Sequence, residues 1–129
     1  MPGVLPEQTE PALLLLDMDT RNAQLLATLL HADGYQVETC KSGAAALARV
    51  AQAPRPRALI LDVSPARTGD LETVRRVHTL RPDLSIFLIT AHPQVARSLD
   101  PEPRGWLQVY VKPLDYPALL RALAESEPA

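Results

Sequence analysis

The chain has 129 residues, 47% of them hydrophobic, and a formal net charge of −2; that length suits one domain with a single full core. The slightly acidic balance and the scatter of Arg55, Arg57, Arg67, Arg75, Arg76 and Arg81 exclude a dedicated nucleic-acid or membrane surface, so neither is expected as a direct partner. A lone Cys40 excludes an internal disulfide and fits a reducing, cytoplasmic setting, and no apolar stretch approaches the roughly 20 residues that span a bilayer.

Residues 1–11 carry Pro2, Pro6, Pro11 and acids without a basic-then-apolar signal pattern, and are expected to be a disordered leader. The domain is expected over 12–125, with 126–129 a tail or linker stub. Leu13–Leu16 reads as a first buried strand ending at Asp17. Asp19 or Thr20 then caps a helix with Leu25, Leu26, Leu29 and Leu30 on one face, closed by Gly34 in the left-handed conformation. Tyr35–Cys40 is a short second strand. Ser42 caps an Ala-rich helix to about Gln52, stopped by Pro54 and Pro56. Arg57–Asp62 is the third strand, and a polar loop leads to a helix with Leu71, Val74, Val77 and Leu80 at helical spacing. Pro82 stops that helix, and a fourth strand runs to Thr90. Pro93, Pro101 and Pro103 hold any next helix to about two turns. The fifth strand, Leu107–Val111, delivers Lys112-Pro113, and Asp115 caps a last helix that has Pro117 in its first turn.

Strand and helix thus alternate five times, which predicts an α/β fold: a flavodoxin-like, doubly wound parallel sheet of five strands with helices on both faces. Ligands of such sheets bind beyond the carboxyl ends of the strands. Asp17, Asp62, Thr90 and Lys112 all fall at that edge. Two carboxylates, a hydroxyl and an ammonium suit a phosphoryl group, whose transfer needs a nucleophile, a divalent metal and neutralising donors for its oxygens.

These residues carry a resemblance. Asp17 after the first strand, Asp62 after the third, Thr90-Ala91 after the fourth and Lys112-Pro113 after the fifth make Ala12–Ala124 resemble a two-component response-regulator receiver domain. Gly34-Tyr35 and Leu71-Glu72 fit the same pattern. The resemblance implies that Asp62 accepts a phosphoryl group from a phosphohistidine of a sensor histidine kinase or phosphotransfer protein. It implies Mg²⁺ held by Asp17, Asp62 and the backbone carbonyl of Ser64, with Asp19 a further candidate. Lys112 and Thr90 would stabilise the phosphoryl oxygens and relay the switch. Pro113 and Ala91 would support them, the Lys112–Pro113 bond often being cis in the family. Ser64 and His92 would tune dephosphorylation, and activity beyond self-phosphorylation and self-dephosphorylation is not implied.

The chain also departs from the family pattern. Met18 stands where the second of two adjacent acids is usual, so Mg²⁺ is expected to bind weakly, because a thioether does not replace a hard oxygen ligand. Pro65 comes three residues after Asp62 instead of four, and Gly69-Asp70 inverts the usual pair. Val109 holds the position of the usual aromatic switch, and Tyr110 falls on the opposite face of its strand.

Two other functions compete. A pseudo-receiver would keep the fold as a protein-binding module without phosphorylation, which Met18 and Val109 favour. A haloacid-dehalogenase-type phosphatase would use Asp17 as nucleophile and Asp19 as acid/base, with Thr90 and Lys112 as later motifs. Arg21, where Thr or Val is expected, and the lack of paired acids after the lysine count against it. Output would pass to a downstream protein or a fused output domain. Trp106, Tyr110 and Tyr116 are expected on one signalling side, where a homodimer would form. The plainer readings make Met18 and Cys40 packing residues, and His31, His78 and His92 surface or boundary residues.

Overall fold

Four consecutive leucines leave no polar face, and Leu13–Leu16 forms a fully buried strand, β1. The computed structural model describes residues 12–64, 69–98 and 105–126. The expected leader at 1–11, the end of the tail at 127–129, and the prolines at 65, 101 and 103 lie outside the described residues. The remaining elements are α1 Thr20–Ala32, β2 Val37–Cys40, α2 Gly43–Val50, β3 Ala58–Asp62, α3 Asp70–Leu80, β4 Ser85–Thr90, α4 Pro93–Ser98, β5 Leu107–Val111 and α5 Tyr116–Glu125. All strand pairs are parallel, in the order β2-β1-β3-β4-β5. This is the flavodoxin-like sheet that the alternation predicts.

The helix starts follow from their caps. The Asp19 carboxylate accepts the N–H groups of Arg21 and Asn22, Ser42 Oγ accepts that of Ala45, and the Asp115 carboxylate that of Ala118. Gly34 lies just past α1 at φ 97°, a conformation that favours glycine.

Alternation along each strand divides the core between two faces. Leu13, Leu15, Ala58, Ile60, Phe87 and Ile89 pack with α1 and α5 through Ala23, Leu30, Leu119 and Leu123. Leu14, Leu16, Leu59, Leu61, Ile86 and Leu88 pack with α2, α3 and α4 through Ala46, Val50, Val74, Val77 and Val95.

Three expectations need correction. Leu25 and Leu29 do not join the core face of α1 and are 63% and 41% exposed. Ala23, Leu26, Ala27 and Leu30 make the contact, at i, i+3, i+4 and i+7, and this leaves Leu25 and Leu29 on the neighbouring row. Leu80, the last residue of α3, is likewise exposed. The aromatic side chains do not share a side either. Trp106 packs with the α2–α4 cluster and stacks on the His78 ring at 3.6 Å between centroids. Tyr110 and Tyr116 belong to the α1/α5 cluster, and Tyr116 donates its hydroxyl to Asp33. The sheet separates them, so the expected homodimer surface has no common aromatic anchor.

Candidate functional site

Strand register assembles the site. Leu16 lies opposite Leu61, so the next residues, Asp17 and Asp62, leave adjacent strands side by side. Asp62 itself lies opposite Ile89, and Thr90 opposite Val111, the residue before Lys112. Neighbouring strands are about 4.8 Å apart, so four chemistry-bearing residues reach one edge without any long loop. Alternation then sorts them. Asp17, Asp62 and Lys112 share parity with Leu15, Ile60 and Tyr110 on the α1/α5 side. Thr90 and Val109 share parity with Leu88 and Leu107 on the α2–α4 side.

The Lys112 ammonium lies 2.6 Å from Asp62 Oδ2, with the Asp62 side chain 16% exposed. This is a charge-assisted contact in a partly dry setting. Asp17 is buried, and its Oδ1 accepts the Asp19 N–H at 2.8 Å. Burial pushes the Asp17 carboxyl above its ordinary value. The Asp19 N–H opposes that push, the charge of Asp62 adds to it, and Lys112 opposes it less strongly. The two acids therefore sit as close neighbours, with the Lys112 ammonium against Asp62.

Thr90 is fully buried, and its Oγ1 accepts the His92 N–H at 3.1 Å. The hydroxyl so fixes the turn into α4. His92 is half-buried, and Ala91 is exposed beside it. The Lys112–Pro113 peptide is cis, as the resemblance implied. Ser64, two residues past Asp62, donates its N–H to Asp70 Oδ2 at 3.2 Å. Sequence reasoning treated Asp70 as half of an inverted pair and missed this role. Its signal was an acid in the first turn of a helix that follows a short loop.

An apolar cavity of about 310 Å³ adjoins the acids. Leu25 and Leu29 overhang it from α1, while Pro113, Leu114 and Tyr116 close the other side. The leucines that left the core face of α1 thus line a surface beside Asp17 and Asp62.

The fit to a divalent metal is partial. Asp17 and Asp62 supply the oxygen donors that a hard cation takes. Asp19 does not join them, because its carboxylate caps α1. The Met18 side chain is 52% exposed and offers only a thioether. Among the described residues no group of three acid, histidine or cysteine side chains is arranged to hold an ion.

A family model described as the response regulator receiver domain matches residues 13–124. The chain belongs to that family. Receiver domains are signalling domains, and accepting a phosphoryl group is their general role. This receiver domain is 28% identical over 114 residues to the transcriptional regulatory protein ZraR of Klebsiella oxytoca, covering 88% of the chain and 26% of that protein. It is 29% identical over 121 residues to the transcriptional regulatory protein GlrR of Escherichia coli strain K12, covering 91% and 27%. The chain therefore spans about a quarter of the length of these relatives. The fold is also that of a response regulator receiver protein from Pseudomonas putida, with TM-score 0.78, 21% identity, and 91% and 98% of the two chains covered. The response regulator TrrA of Thermotoga maritima, solved in complex with Mg²⁺-BeF, gives TM-score 0.75, 23% identity, and 91% and 99% coverage. No helix among the described residues of this receiver domain is long and apolar enough to cross a membrane.

Proposed function

We propose that Asp62 is the phosphoacceptor of this receiver domain and that the phosphodonor is a phosphohistidine on a sensor kinase or phosphotransfer protein. The observation that carries the assignment is the Lys112 Nζ–Asp62 Oδ2 contact at 2.6 Å, with the Asp17 carboxylate on the same face. A carboxylate oxygen of Asp62 attacks phosphorus as the bond to the imidazole nitrogen breaks. The leaving imidazole keeps the electron pair, and the product is an aspartyl phosphate. Lys112 transfers its contact from the carboxylate to the developing charge on the phosphoryl oxygens, a preorganised electrostatic role.

Mg²⁺, when bound, supplies charge neutralisation between the acids and the phosphoryl oxygens. Asp17, Asp62 and the Ser64 carbonyl would hold it. One acid fewer than the family pattern predicts weakened affinity. Thr90 turns its hydroxyl to the phosphoryl group and in doing so releases the His92 N–H. Ser64 and His92 flank the path of water to the acyl phosphate, so they set the rate of self-dephosphorylation, while Pro113 and Ala91 hold Lys112 and Thr90 in place. The domain works in the cytoplasm, over 12–125 of the chain, and its output passes through a downstream protein or a fused output domain.

A pseudo-receiver is the second reading, favoured by the missing third acid and by Val109 on the face of Thr90. One experiment separates the two. Intact mass is measured after incubation with a small phosphodonor, with and without Mg²⁺, on wild type and Asp62→Asn. A Mg²⁺-dependent adduct of one phosphoryl group, absent from Asp62→Asn, is expected. A folded wild type that gains no adduct establishes the pseudo-receiver instead. An adduct that survives in Asp62→Asn but not in Asp17→Asn moves the phosphoryl group to Asp17.

A further inference from the structure

A second cavity, of about 260 Å³, opens at the other end of the sheet. It lies where β3 and β4 begin and where α2, α3 and α5 end, a strand length of about 15 Å from Asp62. Arg55, Arg57 and Arg81 line it, together with Asp83, Ser85 and Ser126. Among the described residues that line it, three guanidiniums stand with one carboxylate, in a chain whose formal net charge is −2. The surplus is local, and it is built by the sequence. Arg55 and Arg57 lie on either side of a buried Pro56 just before β3, and both line the cavity.

A plainer account gives these arginines to the carbonyl ends of helices. It explains Arg57, whose Nη2 donates to Leu123 O at 2.9 Å and whose guanidinium lies 5.2 Å from the centre of the Tyr35 ring. It explains one donor of Arg81, the Nε bonded to Val50 O at 3.2 Å. It does not explain the terminal nitrogens of Arg81, nor Arg55. Arg55 meets Asp83 at 3.9 Å, and both side chains are more than two-thirds exposed. An exposed pair at that distance contributes little and is readily displaced.

We propose that this cavity binds an oxyanion of the phosphate class, free or carried on a small molecule, through Arg55 and the outer nitrogens of Arg81. A guanidinium offers planar, paired N–H donors matched to phosphate oxygens, and two of them around one cavity suit a dianion. Arg57 holds the floor of the site through Leu123 and Tyr35. Asp83 is the built-in competitor, occupying Arg55 when no ligand is bound. The site is independent of the acid site and does not require phosphorylation of Asp62.

The test is a titration of the folded chain followed by amide NMR shifts in phosphate-free buffer, with inorganic phosphate in one arm and adenosine monophosphate in the other. Saturating shifts are expected at Arg57, Leu84 and Ser85, with none of similar size at Thr90 or Lys112. Arg55→Gln, at an exposed position, should weaken binding about fivefold, and Asp83→Asn should tighten it about threefold, the changes expected from altering one charge beside a dianion. Tighter binding of the nucleotide assigns the site to a carried phosphate, and equal binding to the free ion. Absence of saturating shifts in both arms overturns the proposal. So does binding that Arg55→Gln and Asp83→Asn leave unchanged, or shifts confined to Thr90 and Lys112.

Discussion

The two faces of the sheet differ in what they do with the same strands. On the α1/α5 side, strand ends carry Asp17, Asp62 and Lys112 and open onto an apolar cavity. On the α2–α4 side, the matching positions carry a buried Thr90 and Val109, the latter in one apolar cluster with Val95 and Trp106. Charge collects where packing is loose, and the hydroxyl sits where packing is tight. Under the proposed phosphorylation of Asp62, a signal would have to cross the sheet, and Thr90 would be the residue that reaches the far side. In the usual pattern an aromatic ring reads its movement. Here the ring of Tyr110 points to the near side, so the His92 N–H is the contact left to register the change.

The largest effects should come from the core that both faces share. Phe87 and Leu88 are consecutive, fully buried and on opposite faces. Phe87→Ala and Leu88→Ala should each lower stability by about 3–4 kcal/mol in chemical denaturation. A cost below about 1 kcal/mol for either would mean that its face collapses around the cavity and is not packed as described.

Next comes the ion pair. Lys112→Met removes the cation from two neighbouring carboxylates, one buried and one half-buried. Stability at pH 7 should fall by about 1–2 kcal/mol, and phosphoryl acceptance by about a hundredfold or more. The stability deficit should shrink as the pH drops and Asp17, whose pKa is raised, takes up a proton. A deficit equal at pH 7 and pH 4 would show that lost packing of the lysine stem, not charge, is the cause.

Much of this fold was legible because β1, β3 and β4 announce themselves twice, by an unbroken apolar run and by the residue that follows or ends it. Register follows with little freedom: four strand ends bring Asp17, Asp62, Thr90 and Lys112 to one edge however the loops run. Helix faces were read less well. Leu25 and Leu29 have core-like chemistry and spacing, but only three-dimensional packing decides which of two adjacent rows of α1 meets the sheet. The partnership of Thr90 with His92 was hidden for a different reason, since a backbone N–H leaves no trace in the sequence, and that of Ser64 with Asp70 left only the acid at the start of α3. The separation of Trp106 from Tyr110 and Tyr116 was half legible. Strand alternation parts Tyr110 from Val109, but Trp106 precedes β5 and its stack on His78 comes from another element.

The smallest expected effect has an informative sign. Burial and the charge of Asp62 raise the Asp17 pKa in the folded state above its unfolded value. The folded chain then binds a proton more tightly than the unfolded one, so this group lowers stability as pH rises through the window between the two values. Above that window the charged Asp17 is a net cost. Asp17→Asn keeps an oxygen that accepts the Asp19 N–H and removes the charge, so it should stabilise the protein by about 1 kcal/mol at pH 7. The gain should vanish below the ordinary carboxylate range, where wild-type Asp17 is already neutral. Thermal melts of both proteins across pH 3–7 read this directly. Destabilisation at pH 7 would mean that the Lys112 charge outweighs burial at Asp17, and the charged form of Asp17 would then be a net gain to the fold.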